Sequence, residues 1–268
     1  MIQRNLKITI YATIFLIALG AYTTASGSGM GCADVYPLCD SGWLPNFDNP
    51  EQVTEWLHRL GAAIVGLCAF FAFFKSFKTP FRKIAMTSCL ILLFQGALGA
   101  FTVKTELQEP WLIFAHLFTS MLFLGSLAAW YTATENLEFN ENTSAFTRIS
   151  KICCIFTMLQ IAIGAMHVHL FKGSAHVLIT HIVLGFLVTG FSMSSMARAK
   201  RTKQDQKIIK RSSWAAYLSV LQILLGAGVF LSMAAPSYPP YITLHLMIAA
   251  IIWFMHVSNF FIKAEESI

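Results

Sequence analysis

Glu55 and His58 set a carboxylate and an imidazole three residues apart in the stretch Glu-Trp-Leu-His-Arg, residues 55–59. In a helix the two share a face, and an apolar run over residues 56–74 continues from them. Ionisable groups are costly at a membrane boundary, so such a pair reads first as a functional site. Three more histidines, His116, His181 and His245, recur at matching places. A lone histidine in an apolar helix usually hydrogen-bonds a neighbouring helix. Four in register point instead to ligation of a metal or a metal-bearing macrocycle.

The register comes from a repeat. Gln95-Gly-Ala-Leu-Gly-Ala, Gln160-Ile-Ala-Ile-Gly-Ala and Gln222-Ile-Leu-Leu-Gly-Ala are versions of one hexapeptide, and Leu16-Ile-Ala-Leu-Gly-Ala is a fourth that lacks the glutamine. From each glutamine the next apolar segment delivers a histidine 21, 21 and 23 residues on, and His58 follows the first hexapeptide after a longer connection. The pattern implies four helical hairpins, or two four-helix halves. Each histidine is expected about four to seven residues inside the outer end of its helix, so at about 1.5 Å per residue the four share a layer within roughly 5 Å. The small Gly-Ala pairs fall near that layer and would let a flat macrocycle approach the backbone.

Zinc suits this set poorly, because no carboxylate or thiolate is arranged with the histidines inside the bundle. Two histidines on facing helices commonly hold haem iron, so four can hold two haems, one in each half. His167, His169 and His176 flank a later outer connection and are expected at the interface, with haem-edge contact or proton shuttling as the alternative. His256, toward the other end of the last segment, is expected to be structural.

The elements that must position these residues are membrane helices. Hydrophobic residues make up 56% of the 268 and charged residues only 12%, with mean hydropathy +0.62, which excludes an ordinary soluble domain. Eight apolar segments of spanning length run over residues 7–24, 54–74, 82–103, 111–132, 149–167, 175–196, 212–233 and 241–262. The fold expected is an all-α membrane protein of two pseudo-symmetric four-helix bundles: residues 1–132 as the N-terminal half, a cytoplasmic linker at 133–150, and 151–268 as the C-terminal half. The first segment also has the marks of a signal peptide, but the repeat uses it as a helix, so it is read as a retained span.

Sixteen of the nineteen Lys and Arg residues fall on one side of this arrangement, including Lys263 and seven between residues 198 and 211, whereas Arg59, Lys104 and Lys172 fall on the other. The positive-inside rule then puts both termini in the cytoplasm, and the chain in the cell's inner membrane. The net charge of +6 is accounted for by orientation beside anionic lipid, and nucleic acid is not an expected partner.

The longest outer connection, residues 26–53, carries Asp34, Asp40, Asp48 and Glu51 but no Lys or Arg. Its Cys32 and Cys39 stand seven positions apart, a spacing that can close a small ring in an oxidising compartment, as a structural staple or as a redox pair. Cys68, Cys89, Cys153 and Cys154 read as small apolar residues of the spans.

In these features the chain resembles the haem A synthase family. The signature is Ser-Gly-Ser-Gly-Met-Gly-Cys32-Ala-Asp-Val-Tyr-Pro-Leu-Cys39, then Glu55 with His58 and Arg59, then His116, His181 and His245 on eight spans. The resemblance implies an oxidoreductase that converts the C8 methyl of haem O to the formyl group of haem A by successive hydroxylations, for the cofactor of cytochrome oxidase. It further implies that His58 and His116 hold the substrate or product haem, that His181 and His245 hold a haem b cofactor, that Glu55 acts beside the substrate, and that Cys32–Cys39 is the functional pair above it. Haem O, an electron donor, haem O synthase and a second copy of the chain are the partners to consider. Two departures stand out: the connection after the fifth segment has no cysteine, and Ile182 rather than arginine follows His181. The competing readings are a dihaem cytochrome passing quinol electrons and a transporter; Glu55 and the outer cysteines argue against the first, and the lack of a polar midplane against the second.

Overall fold

The computed structural model describes residues 2–33, 35, 37–40, 42–138 and 143–262; Asp34 and Tyr36 of the outer loop, and Lys263, lie outside them. The described residues form eight long helices and one short 3-10 turn. These are α1 (Ile2–Ala25), α2 (Pro50–Ser76), α3 (Arg82–Lys104), α4 (Pro110–Ala133), α5 (Thr143–His169), α6 (Ala175–Arg201), α7 (Gln206–Ser232) and α8 (Tyr238–Phe260). All eight are long and apolar enough to cross a membrane.

The helices correspond one to one with the expected segments, but several run further. Helix α2 begins at Pro50 because Asn49 caps it, its side chain accepting from the backbone N–H groups of Glu51 and Gln52, with proline at the first position where no N–H is needed. Toward the basic face, α5 starts at Thr143, α6 runs on to Arg201 and α7 starts at Gln206. In α6 and α7 good helix formers such as Lys, Arg and Gln carry the helix past the apolar window that marked it in sequence.

Helix α1 packs on α2, α2 on α3, α3 on α4 and α4 on α1; α5 packs on α6, α6 on α7, α7 on α8 and α8 on α5. Each circuit sets its second and fourth helices at opposite corners. The circuits meet through α8 against α1 and α4, and through α4 against α5. Packing within them relies on small side chains: along α2, Val65, Ala69, Ala72 and Ser76 are buried at helical spacing, while Leu60, Ile64, Leu67, Phe71 and Phe74 face outward. Large apolar groups outside and small ones inside is the arrangement lipid favours, since helices gain contact there by close approach rather than by escaping water.

Polar contacts anchor the joint between circuits, among them the Arg211–Glu135 ion pair between α7 and the chain just past the end of α4. Trp253 on α8 donates its indole N–H to the Met121 carbonyl of α4 at 2.7 Å, and Gly125, one turn on, leaves room for the ring, to which a Cβ there would approach within 3.1 Å. Trp253→Ala is expected to destabilise the solubilised protein by about 3–5 kcal/mol, read as a lowered thermal midpoint, and Trp253→Phe, which keeps the ring but loses the donor, by about 0.5–1.5 kcal/mol.

Candidate haem-ligand sites and the outer loop

The four histidines sit at one depth. Counted from Pro50, Pro110, Ala175 and Tyr238, His58, His116, His181 and His245 fall within two residues of each other, a spread of about 3 Å. They ride on the even-numbered helices, so each pair belongs to opposite corners of one circuit. His181 and His245 have ring centroids 6.2 Å apart.

The glycine of each hexapeptide meets a histidine of the following helix. A Cβ built on Gly20 would lie 2.9 Å from Cε1 of His58, on Gly99 2.9 Å from that of His116, on Gly164 2.6 Å from that of His181, and on Gly226 3.2 Å from that of His245. The space freed by the missing side chain is therefore taken up by imidazole. Glycine is required at these positions by close approach, not by backbone conformation.

The repeat's glutamines serve the same rings. Gln95 Nε2 lies 3.3 Å from His116 Nε2, Gln160 Nε2 lies 3.3 Å from His181 Nε2, and Gln222 Nε2 donates to the His245 carbonyl at 2.8 Å. Nδ1 of all four histidines is buried without a protein partner, as is Oε1 of all three glutamines. Nδ1 of His167 and His256 is unpartnered too, so what sets the four apart is the glycine against each ring and their common depth. Among the described residues no three or more His, Cys, Asp or Glu side chains converge as a metal-ion site. The donor sets are thus imidazole pairs, which suit haem iron and leave a zinc ion short of ligands.

Of the remaining histidines, His167 lies close enough to His181 to act on its charge. His167 is buried with Nδ1 unpartnered, and His176 is exposed at the start of α6. His256 is 1% exposed, its Nε2 3.0 Å from the Ser192 hydroxyl, which in turn accepts from Ser219 at 3.2 Å. It ties α6, α7 and α8 together.

Above the first circuit the outer loop folds onto α2. Cys32 and Cys39 form a disulfide, and both are buried. Glu55 is 3% exposed; its Oε2 accepts from the backbone N–H of Cys32 at 2.8 Å, while Oε1 accepts from Arg59 Nε at 3.1 Å and from Nη2. Nη1 of Arg59 donates to the carbonyls of Val35 and Leu38 inside the ring. Gln52 Oε1 accepts from Asn46 N–H at 2.6 Å, and its Nε2 donates to Asp40 at 2.7 Å. Sequence reasoning named Glu55 but gave Gln52 no role and Arg59 none beyond the motif. Their spacing, with Glu55, on one face of α2 was the available signal.

A polytopic helical membrane protein with paired imidazoles in two helical circuits and a disulfide-closed outer loop is the class that fold and site define. Residues 44–172 match the COX15-CtaA family, described as cytochrome oxidase assembly protein. Among its relatives, the heme A synthase of Shewanella oneidensis is 32% identical over 181 residues, covering 59% of this chain and 54% of its own length. That of Geobacillus kaustophilus is 33% identical over 110 residues, covering 38% and 35%, and that of Shouchella clausii 36% over 98 residues, covering 35% and 33%. The alignments thus span between a third and about half of these relatives' lengths. Over residues 44–172, just under half of its length, the chain is similar to the haem A synthase family.

The glycine contacts can be tested by ranking. Glycine to alanine in a helix with open space is worth up to about 1 kcal/mol of added stability, and overpacking costs about 1–3 kcal/mol. Gly66→Ala and Gly96→Ala, where nothing lies within 4 Å, are expected to hold or raise the thermal midpoint. Gly164→Ala should lower it most, Gly20→Ala and Gly99→Ala less, and Gly226→Ala least.

Proposed function

We propose that the chain is a haem A synthase, and the observation that carries this is the fourfold glycine-seated histidine at one depth. His58 and His116 would hold haem O as substrate in the first circuit. His181 and His245 would hold haem b in the second; bound there it would supply electron transfer. The names of the relatives support haem A biosynthesis as the pathway. The halves at 1–132 and 151–268 are then pseudo-symmetric bundles of unequal role, with both termini on the cytoplasmic face and the haem sites near the outer face.

The reaction converts a methyl to a hydroxymethyl, then to a geminal diol that loses water to leave a formyl group; each hydroxylation would consume one dioxygen, two donor electrons and two protons, the second oxygen atom leaving as water. Glu55 lies one turn outward of His58, which suits it to exchange a proton with the substrate's oxidised carbon substituent. Its carboxylate is held by the Cys32 N–H and by Arg59, so its orientation is set before substrate arrives. The disulfide loop covers this end of the circuit. Electrons would come from a donor in the membrane, with haem O synthase as the source of substrate.

Extracting the bound haems in acid acetone and separating them chromatographically tests the assignment. Haem O or haem A together with haem B is expected; haem B alone would point instead to a dihaem electron carrier. His181→Ala or His245→Ala should remove haem B, and His58→Ala or His116→Ala should chiefly reduce haem O and haem A; loss of the same haem in all four would overturn the division of roles.

Replacing Glu55 by Gln keeps its size but removes its exchangeable proton. The variant is expected to retain haem and accumulate haem O or the hydroxylated intermediate, measured as the ratio of the three haems in one preparation. Near-normal haem A would leave Glu55 with only a placing role.

A further inference from the structure

Three polar side chains on one face of α2, Gln52, Glu55 and Arg59, spend their hydrogen bonds on the outer loop. From the first turns of the helix downward they engage Asn46 and Asp40, then Cys32, then Val35 and Leu38. Gly31, next to Cys32, lies so close that a Cβ there would come within 2.4 Å of the Glu51 carbonyl. The ring from Cys32 to Cys39 is thus pressed onto the backbone of α2 and held mainly by its own backbone groups. A covalent staple alone would need none of this.

We propose that Gln52, Glu55 and Arg59 form a clasp that sets the Cys32–Cys39 ring over the His58 end of α2, and that Gln52 and Arg59 are positioning residues. Glu55 is the strut of the clasp, because one of its oxygens is bound by the amide of a disulfide cysteine and the other by the guanidinium that grips the rest of the ring. His58 is the next residue but two on the same helix. Ring, carboxylate and ligand helix therefore move as one body, and whatever opens the disulfide also loosens Glu55. By linkage the converse holds: whatever releases the clasp makes the disulfide easier to reduce. Arginine suits the position, since only a planar fork reaches a carboxylate and two carbonyls at once.

What the ring covers rests on the proposed haem site, but the clasp does not, so its test uses the whole chain in nanodiscs with readouts that need no haem. Parent protein, Arg59→Gln, Arg59→Lys and Gln52→Ala are treated with tris(2-carboxyethyl)phosphine, freed thiols are alkylated, and the Cys32 and Cys39 peptides are followed by mass spectrometry. Hydrogen–deuterium exchange at the Cys32 amide is measured in parallel. In Arg59→Gln the disulfide is expected to be reduced at least about tenfold faster, the equivalent of about 1.4 kcal/mol, with faster exchange at Cys32. Arg59→Lys should recover part of this, and Gln52→Ala should show a smaller rise. Rates and exchange within twofold of the parent in both Arg59→Gln and Gln52→Ala would overturn the clasp. If Arg59→Gln does not fold, Arg59→Lys and Gln52→Ala decide by the same criteria. Haem extraction is scored separately, so a failed haem assignment and a failed clasp give different results.

Discussion

The structure depends on a steric exchange between glycine and imidazole. Wherever an odd-numbered helix passes an even-numbered one at the histidine layer, it gives up a side chain so that a ring can lie against its backbone. A histidine has only two side-chain torsions, and a wall on one face of its ring removes much of what freedom remains. Four rings are therefore placed by packing alone before any ligand is present, and preorganisation of this kind is what a ligand pair needs to bind at low entropic cost. The glutamines hold two of the rings at the other edge.

Lipid makes that exchange feasible. Close approach is the main source of helix–helix attraction in a membrane, so small residues at contacts cost nothing in hydrophobic burial. The seams of α2 and of the joint at Gly125 and Trp253 use the same device for plain packing. At the histidine layer the polar ring is shielded from lipid by the helix it abuts, which meets the demand that ionisable groups in a membrane face the protein interior.

Much of this was legible in the chain. The eight spans were, because an apolar run of about twenty residues has few alternatives, and so were the four histidines, because the hexapeptide repeat carried them in register. The ends of α6 and α7 on the basic face were not, since charged helix continues where hydropathy stops. That an imidazole packs on each glycine was not legible either, since spacing tells that two positions meet, not which atoms fill the gap. The clasp was hidden for a different reason. Arg59 and Gln52 matter through a loop that folds back over 6 to 24 residues, and no periodicity on α2 records what that loop will bring to it.

The two circuits match in their rings and differ in what surrounds them, which is where a division of labour would originate. Three residues before His58 stands Glu55, and one residue after it Arg59; at the same offsets from His181 stand Leu178 and Ile182. A paired carboxylate and guanidinium, both largely buried, are tolerated only with their bonds filled, because leaving either charge alone costs about 3–5 kcal/mol. The first circuit meets that demand with a disulfide-closed loop whose amide and carbonyls complete the pair. The second has five residues between α5 and α6, Leu170 to Ser174, and apolar side chains at the matching positions. The rings of the second thus stand among apolar side chains, whereas His58 of the first has a buried carboxylate within a helical turn, and the loop over the first circuit keeps that carboxylate paired and aimed.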